Sequence, residues 1–135
     1  SFYEKFAKVQ LPQLKQKVIV LAHVADFEDK TTMESYSQAA VQGRLKLIGL
    51  EADFGLVVNT AVMPIKVLKE LETPLLTYTN REELEGYKHV IQTERTTQTK
   101  NTKIRCPMEM WDDNELYINS DAQLILDRYN KFFNE

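Results

Sequence analysis

Apolar positions along this chain fall into short runs set between longer polar stretches. Residues 18–24 (VIVLAHV) form a nearly continuous apolar run rich in β-branched side chains, which predicts a strand covered on both faces. Residues 54–62 (FGLVVNTAV) predict a second buried strand, halted at Pro64. Phe2, Phe6 and Val9 recur at helical spacing and predict a first helix that stops near Pro12. Val41, Leu45 and Ile48 share one face of a second helix, with Gly49 near its C-terminal cap. Between these elements, residues 26–38 (DFEDKTTMESYSQ) are polar and lack a clean period, so they predict a loop.

The second half of the chain repeats this punctuation at shorter range. Residues 65–71 suit a short helix or an excursion, and residues 75–79 and 87–93 suit strands on either side of the polar turn NREELEG. Residues 96–102 (TTQTKNT) carry no apolar anchor and predict a loop. Residues 104–111 (IRCPMEMW) predict extended chain, because Pro107 disfavours helix at Cys106. Ser120 and Gln123 have the spacing of a capping box, and Ile125, Tyr129 and Phe132 line one face of a closing helix. The series predicts an α/β fold with a mixed β-sheet and flanking helices. With no internal repeat and no Gly/Ser linker, residues 1–135 are expected to form a single domain, an incomplete one on the resemblance described below.

Composition narrows the function classes only a little. Charged residues make up 27% of the 135, and the net charge of −3 gives no whole-protein argument for nucleic acid or membrane. Any anionic partner must be met by a local basic patch. Cys106 is the single cysteine, so no internal disulfide is possible and a reducing, cytoplasmic location is expected. No apolar stretch approaches the length of a membrane span, and no signal peptide is visible. The first residue is Ser1, so the chain is expected to be processed, tagged or cut from something longer.

Most catalytic motifs are missing. There is no HExxH, CxxC, GxSxG or EF-hand loop, and no GxxxxGK[ST] among four glycines (Gly43, Gly49, Gly55 and Gly86). Three candidates remain. His23 ends the first apolar run, where an imidazole either meets a substrate, water or phosphate, or caps the strand on local backbone. Read with Asp26, Glu28 and Asp29 it matches no metal-ligand spacing, and a solvated acidic loop fits better. Arg44 and Lys46 stand at a helix start, where the dipole disfavours cations; they serve either an anionic partner or plain solubility. Arg95, Lys100, Lys103 and Arg105 make residues 93–107 the most basic window, interleaved with threonines that suit phosphate oxygens. A solvated hairpin explains that window equally well. Cys106 has no identifiable histidine partner and is a poor nucleophile candidate, while Trp111, Phe132 and Phe133 read as core.

Taken in order, these pieces resemble a known group. VIVLAHV is followed by a polar loop, by VQGRLK, by DFGLVV, by a strand ending in T-x-R, by a basic loop and by RCPMEMW. The series resembles the C-terminal half of phage-type RecA-like P-loop ATPases, the recombination-associated group, over roughly residues 15–133. The resemblance implies that His23 senses the γ-phosphate and that Arg95 is a basic residue reaching a neighbouring subunit's nucleotide, with Arg105 also nucleotide-binding. It implies that residues 26–44 line the DNA path, with Arg44, Lys46, Lys100 and Lys103 contacting single-stranded DNA. The strand, phosphate loop and magnesium-site aspartate that come first in such proteins are not in this sequence. ATP and Mg2+ are therefore expected only in combination with an N-terminal half, and the chain alone is expected to lack ATPase activity. A homo-oligomer is expected when the protein is complete. Whether Ser1 marks a fragment, a split gene, a splicing junction or a tag scar stays open. The alternative is a non-enzymatic α/β module that docks a protein partner, and a third is a small enzyme whose site is not visible.

Overall fold

A computed structural model of the chain describes residue 13, residues 18–22, the backbone of residues 24–28 and 35–39, and residues 55–97, 99 and 104–134. The chain divides into two compact units, Ser1–Gly55 and Leu56–Glu135.

In the first unit, β1 (Val24–Glu28) pairs antiparallel with β2 (Ser35–Ala39), in a register that sets Val24 opposite Ala39 and Glu28 opposite Ser35. Both expectations for this region need correction. Residues 18–22 form no regular element and are exposed, Leu21 to 90%, so the apolar run is not a buried strand. Strand pairing forms one step later, inside the stretch expected to be a loop. β-branched composition makes a strand favourable only where a neighbour supplies the ladder and a covering face. The expected helices at residues 2–12 and 39–49 lie outside the described residues, except that Ala39 ends β2.

The second unit is built on a sheet of order β3-β4-β5, comprising Asn59–Pro64, Tyr87–Gln92 and Tyr117–Asn119. Every strand pairing among the described residues is antiparallel, so the expected mixed sheet gives way to antiparallel ladders. The reason lies in the β3–β4 connection. Pro64 ends β3 and serves as N-cap of α1 (Ile65–Glu70), and the Ile65 N–H donates to Gly86 O at 2.9 Å. That bond closes the connection on the end of the sheet where it began, so β4 returns antiparallel, with Pro64 opposite Tyr87. One face of the sheet gives Ala61, Met63 and Val90 to a cluster with Leu68 and Leu76. The other gives Leu56, Val58, Ile91 and Ile118 to a cluster with Met110 and Trp111, closed by α3 (Ala122–Asn134) through Leu124, Ile125, Tyr129 and Phe132. Leu68, Val90 and Ile118 are fully buried. The expected face of the closing helix is the one that packs. Phe133 is 54% exposed and stacks edge-on against Phe132, so only one of the two terminal phenylalanines is core.

Three local readings change. NREELEG is not merely a turn: Asn80–Glu85 is a helix, α2, closed by Gly86 at φ 81°. Thr79 Oγ1 accepts the Glu82 N–H, and Glu82 Oε1 accepts the Thr79 N–H. This is a capping box that satisfies two orphan donors reciprocally. Glu82 also accepts two bonds from Lys88, which is buried in β4; the Thr79 N–H and then Lys88 hold its carboxyl below the usual range. Thr79→Ala is expected to lower stability by about 1 kcal/mol, read from the urea midpoint, and no change would mean that α2 needs no cap. Residues 75–79 are not a strand. They follow Pro74 and meet β5 through Asn119, whose N–H donates to Leu75 O and whose side chain bonds the Thr77 N–H and hydroxyl. At α3 the capping oxygen belongs to Asp121, which accepts the Gln123 N–H at 2.9 Å, rather than to Ser120.

Residues 104–111 are extended only as far as a bridge between Arg105 and Val57, then turn with Met110 N–H donating to Pro107 O at 3.2 Å. Glu109 occupies that turn at φ 65°, a left-handed conformation that costs a side chain about 1–2 kcal/mol. Glu109→Gly relieves the strain but frees the unfolded chain, so a net gain of about 0.5 kcal/mol is expected in thermal unfolding. A fall in Tm would place a stabilising contact on the Glu109 side chain.

Candidate functional site

The basic window is the candidate that the described residues build. β4 is the central strand of the sheet, and its last side chain, Gln92, is only 3% exposed. Thr93 follows, fully buried: its N–H donates to Leu116 O at 2.9 Å and its hydroxyl to Glu115 O at 2.8 Å. Beyond this anchor the chain surfaces at once, with Glu94 and Arg95 exposed. The Gln92 amide reaches forward along the loop, donating to Glu94 O and to Thr99 Oγ1, both at 2.8 Å. Thr99 Oγ1 also accepts the Thr96 N–H at 2.8 Å, and the Thr99 N–H donates to Thr96 O at 3.2 Å. Arg95 therefore sits between two backbone groups that are each held by a side chain.

Arg105 joins the same end of the sheet. Its backbone exchanges two bonds with Val57, at 2.7 and 2.9 Å, and the next residue, Cys106, donates its thiol to Thr93 O at 3.4 Å. The side chain of Arg105 is exposed, like that of Arg95. The segments carrying these two arginines thus meet at Thr93. Burial, and then the Glu94 carboxylate, push the Cys106 thiol up, which leaves it protonated at neutral pH and unsuited to nucleophilic work.

His23, Arg44, Lys46, Lys100 and Lys103 lie outside the described residues. Among the described residues no group of three His, Cys, Asp or Glu is placed to hold a metal ion, and no helix is long and apolar enough to cross a membrane. Sequence reasoning missed Gln92 and Thr99. Their signal was faint: an amide at the last position of an apolar strand, just ahead of a threonine-rich loop. It also missed the pair formed by Glu115 and Arg128, which holds the 110–115 turn to α3. Arg128 donates to both carboxylate oxygens of Glu115 and, at 3.0 Å, to Met110 O, with its guanidinium 4.8 Å from the Trp111 ring centre. Trp111 is core, as expected.

Comparison with protein-family models, with curated proteins and with solved structures finds no match to this chain.

Proposed function

We propose that this chain is the later portion of a RecA-like P-loop ATPase that acts on single-stranded DNA in phage recombination or replication. The observation that carries the reading is the placement of Arg95, exposed directly beyond a central strand whose last residues, Gln92 and Thr93, are buried and bonded. A cation offered to a neighbouring subunit's triphosphate has to be both accessible and held in place, because phosphoryl transfer is governed by positioning and charge. Arg105 adds a second positive charge on an adjoining segment. In this reading His23 senses the γ-phosphate, and Arg44, Lys46, Lys100 and Lys103 contact DNA phosphates.

The chain's own residues do not fit a magnesium–nucleotide complex unaided. The sequence has no phosphate-cradling loop, and the described residues offer no cluster of three metal-ligating side chains. Both would come from an N-terminal half, and a homo-oligomer would bring Arg95 to a neighbour's site. The test is ATP turnover by this chain combined with that half. Arg95→Ala should reduce turnover while nucleotide binding persists, and unchanged turnover overturns the reading.

A second reading, a module that docks a protein partner, is favoured by apolar side chains left uncovered on the second unit. Leu84 is 88% and Met108 86% exposed, with Val62 and Tyr87 more than half exposed on neighbouring strands. Salt separates the two readings: affinity for single-stranded DNA falls steeply with salt if phosphates are bound, whereas apolar docking responds little.

A further inference from the structure

We infer that Gln92 and Thr99 are positioning residues for Arg95. This inference rests on the reading of Arg95 proposed above. This loop has a turn of its own, in which the Thr99 N–H donates to Thr96 O and the two threonine hydroxyls lie 3.0 Å apart, and a side chain from the core ties that turn down. The Gln92 amide comes from the central strand, is 3% exposed, and spends two donors on the loop, one on Glu94 O and one on Thr99 Oγ1. The Thr99 oxygen then accepts the N–H of Thr96. The carbonyl just before Arg95 and the N–H just after it are therefore both fixed through Gln92 and Thr99. Arg95 is exposed, and its backbone is held on either side. Thr99 is the keystone, because a single oxygen receives both Gln92 Nε2 and Thr96 N. A valine there keeps the shape and removes the acceptor, whereas a serine keeps the acceptor and removes only a methyl group.

The experiment uses Thr99→Val, Thr99→Ser and Arg95→Ala, with two readouts. In the 15N-labelled 135-residue chain, backbone order parameters at residues 94–97 should fall from about 0.85 to below about 0.6 in Thr99→Val, with β4 and β5 unchanged. Thr99→Ser should keep the parent values. In the ATPase assembled with the phosphate-loop half, Thr99→Val should lower kcat by about tenfold or more at unchanged KM for ATP, and Thr99→Ser should restore it. A loop as rigid in Thr99→Val as in the parent overturns the inference. So does parent-level turnover in Thr99→Val where Arg95→Ala is crippled, which would leave the reading of Arg95 standing. Parent-level turnover in Arg95→Ala itself overturns that reading and this inference together.

Discussion

Replacing Arg128 with leucine should destabilise the unit Leu56–Glu135 by about 2–3 kcal/mol, below the range for a fully buried ion pair because the Arg128 side chain is 22% exposed. Glu115 is 3% exposed, and its carboxylate accepts the Asp112 N–H at 2.8 Å together with both arms of the Arg128 fork. Without the guanidinium, a buried negative charge keeps a single backbone donor. The loss goes beyond the pair, because Arg128 also bonds Met110 O and covers the Trp111 ring. Trp111, the chain's one tryptophan, packs in the cluster that α3 closes, so its fluorescence in urea reports this unit directly. The double variant with leucine at both positions should recover the part of the loss that comes from the unpaired carboxylate, while the contacts to Met110 O and Trp111 stay lost. A single-variant loss under about 1 kcal/mol would show that the pair behaves as a surface bridge.

The same pair sets an acid limit. The Arg128 hydrogen bonds, and then the Asp112 N–H, hold the Glu115 carboxyl below the usual range, opposed by burial. A carboxyl with a depressed folded-state pKa binds fewer protons folded than unfolded. Its contribution is complete above the unfolded value of about 4.3 and is lost as pH falls below it through the folded value. Arg128 is raised by the Glu115 hydrogen bond and stays charged throughout this window. Thermal unfolding of the parent should therefore drop more steeply below about pH 4 than that of the double leucine variant. Parallel curves would remove Glu115 as the source of acid sensitivity.

The elements that were legible in the sequence are those whose pattern is local and whose partner is near. β4 follows from β-favouring residues, Tyr87, Val90 and Ile91, placed after a polar turn, and the stop at Pro64 from a missing N–H. The packed face of α3 follows from Ile125, Tyr129 and Phe132 at helical spacing. α2 was hidden because it buries no side chain, so no apolar period marked it; its signatures were its ends, the box of Thr79 and Glu82 and the closing Gly86. Residues 18–22 misled for the opposite reason, since an apolar run states a preference for cover and not the presence of a covering surface. The antiparallel sheet was out of reach because strand direction depends on how a connection closes, here through Ile65 and Gly86. At the candidate site the cationic residues were visible as charges. The restraint on Arg95 was not, because Gln92 and Thr99 are seven residues apart and meet only once β4 has fixed the amide.

On the proposed function, Arg95→Ala should reduce turnover of the assembled ATPase by about a thousandfold, the lower range for an arginine supplied to a neighbour's phosphoryl transfer. Nucleotide affinity should change little, because on that proposal the phosphate loop and magnesium ligands would come from an N-terminal half and the arginine would act on charge that develops in the transition state. kcat should carry the effect, with KM near the parent value. Arg95→Lys should recover only part of the rate, since an ammonium keeps the charge without the planar fork. Mixing Arg95→Ala chains with chains disabled in their own phosphate loop gives the sharpest version of this experiment. If Arg95 acts across a subunit boundary, the mixture regains activity, because each defect is complemented by a neighbour that carries the intact group. If the mixture stays as inactive as its components, Arg95 does not serve a neighbouring site. Loss of nucleotide binding in Arg95→Ala alone would place the residue in ground-state recognition instead.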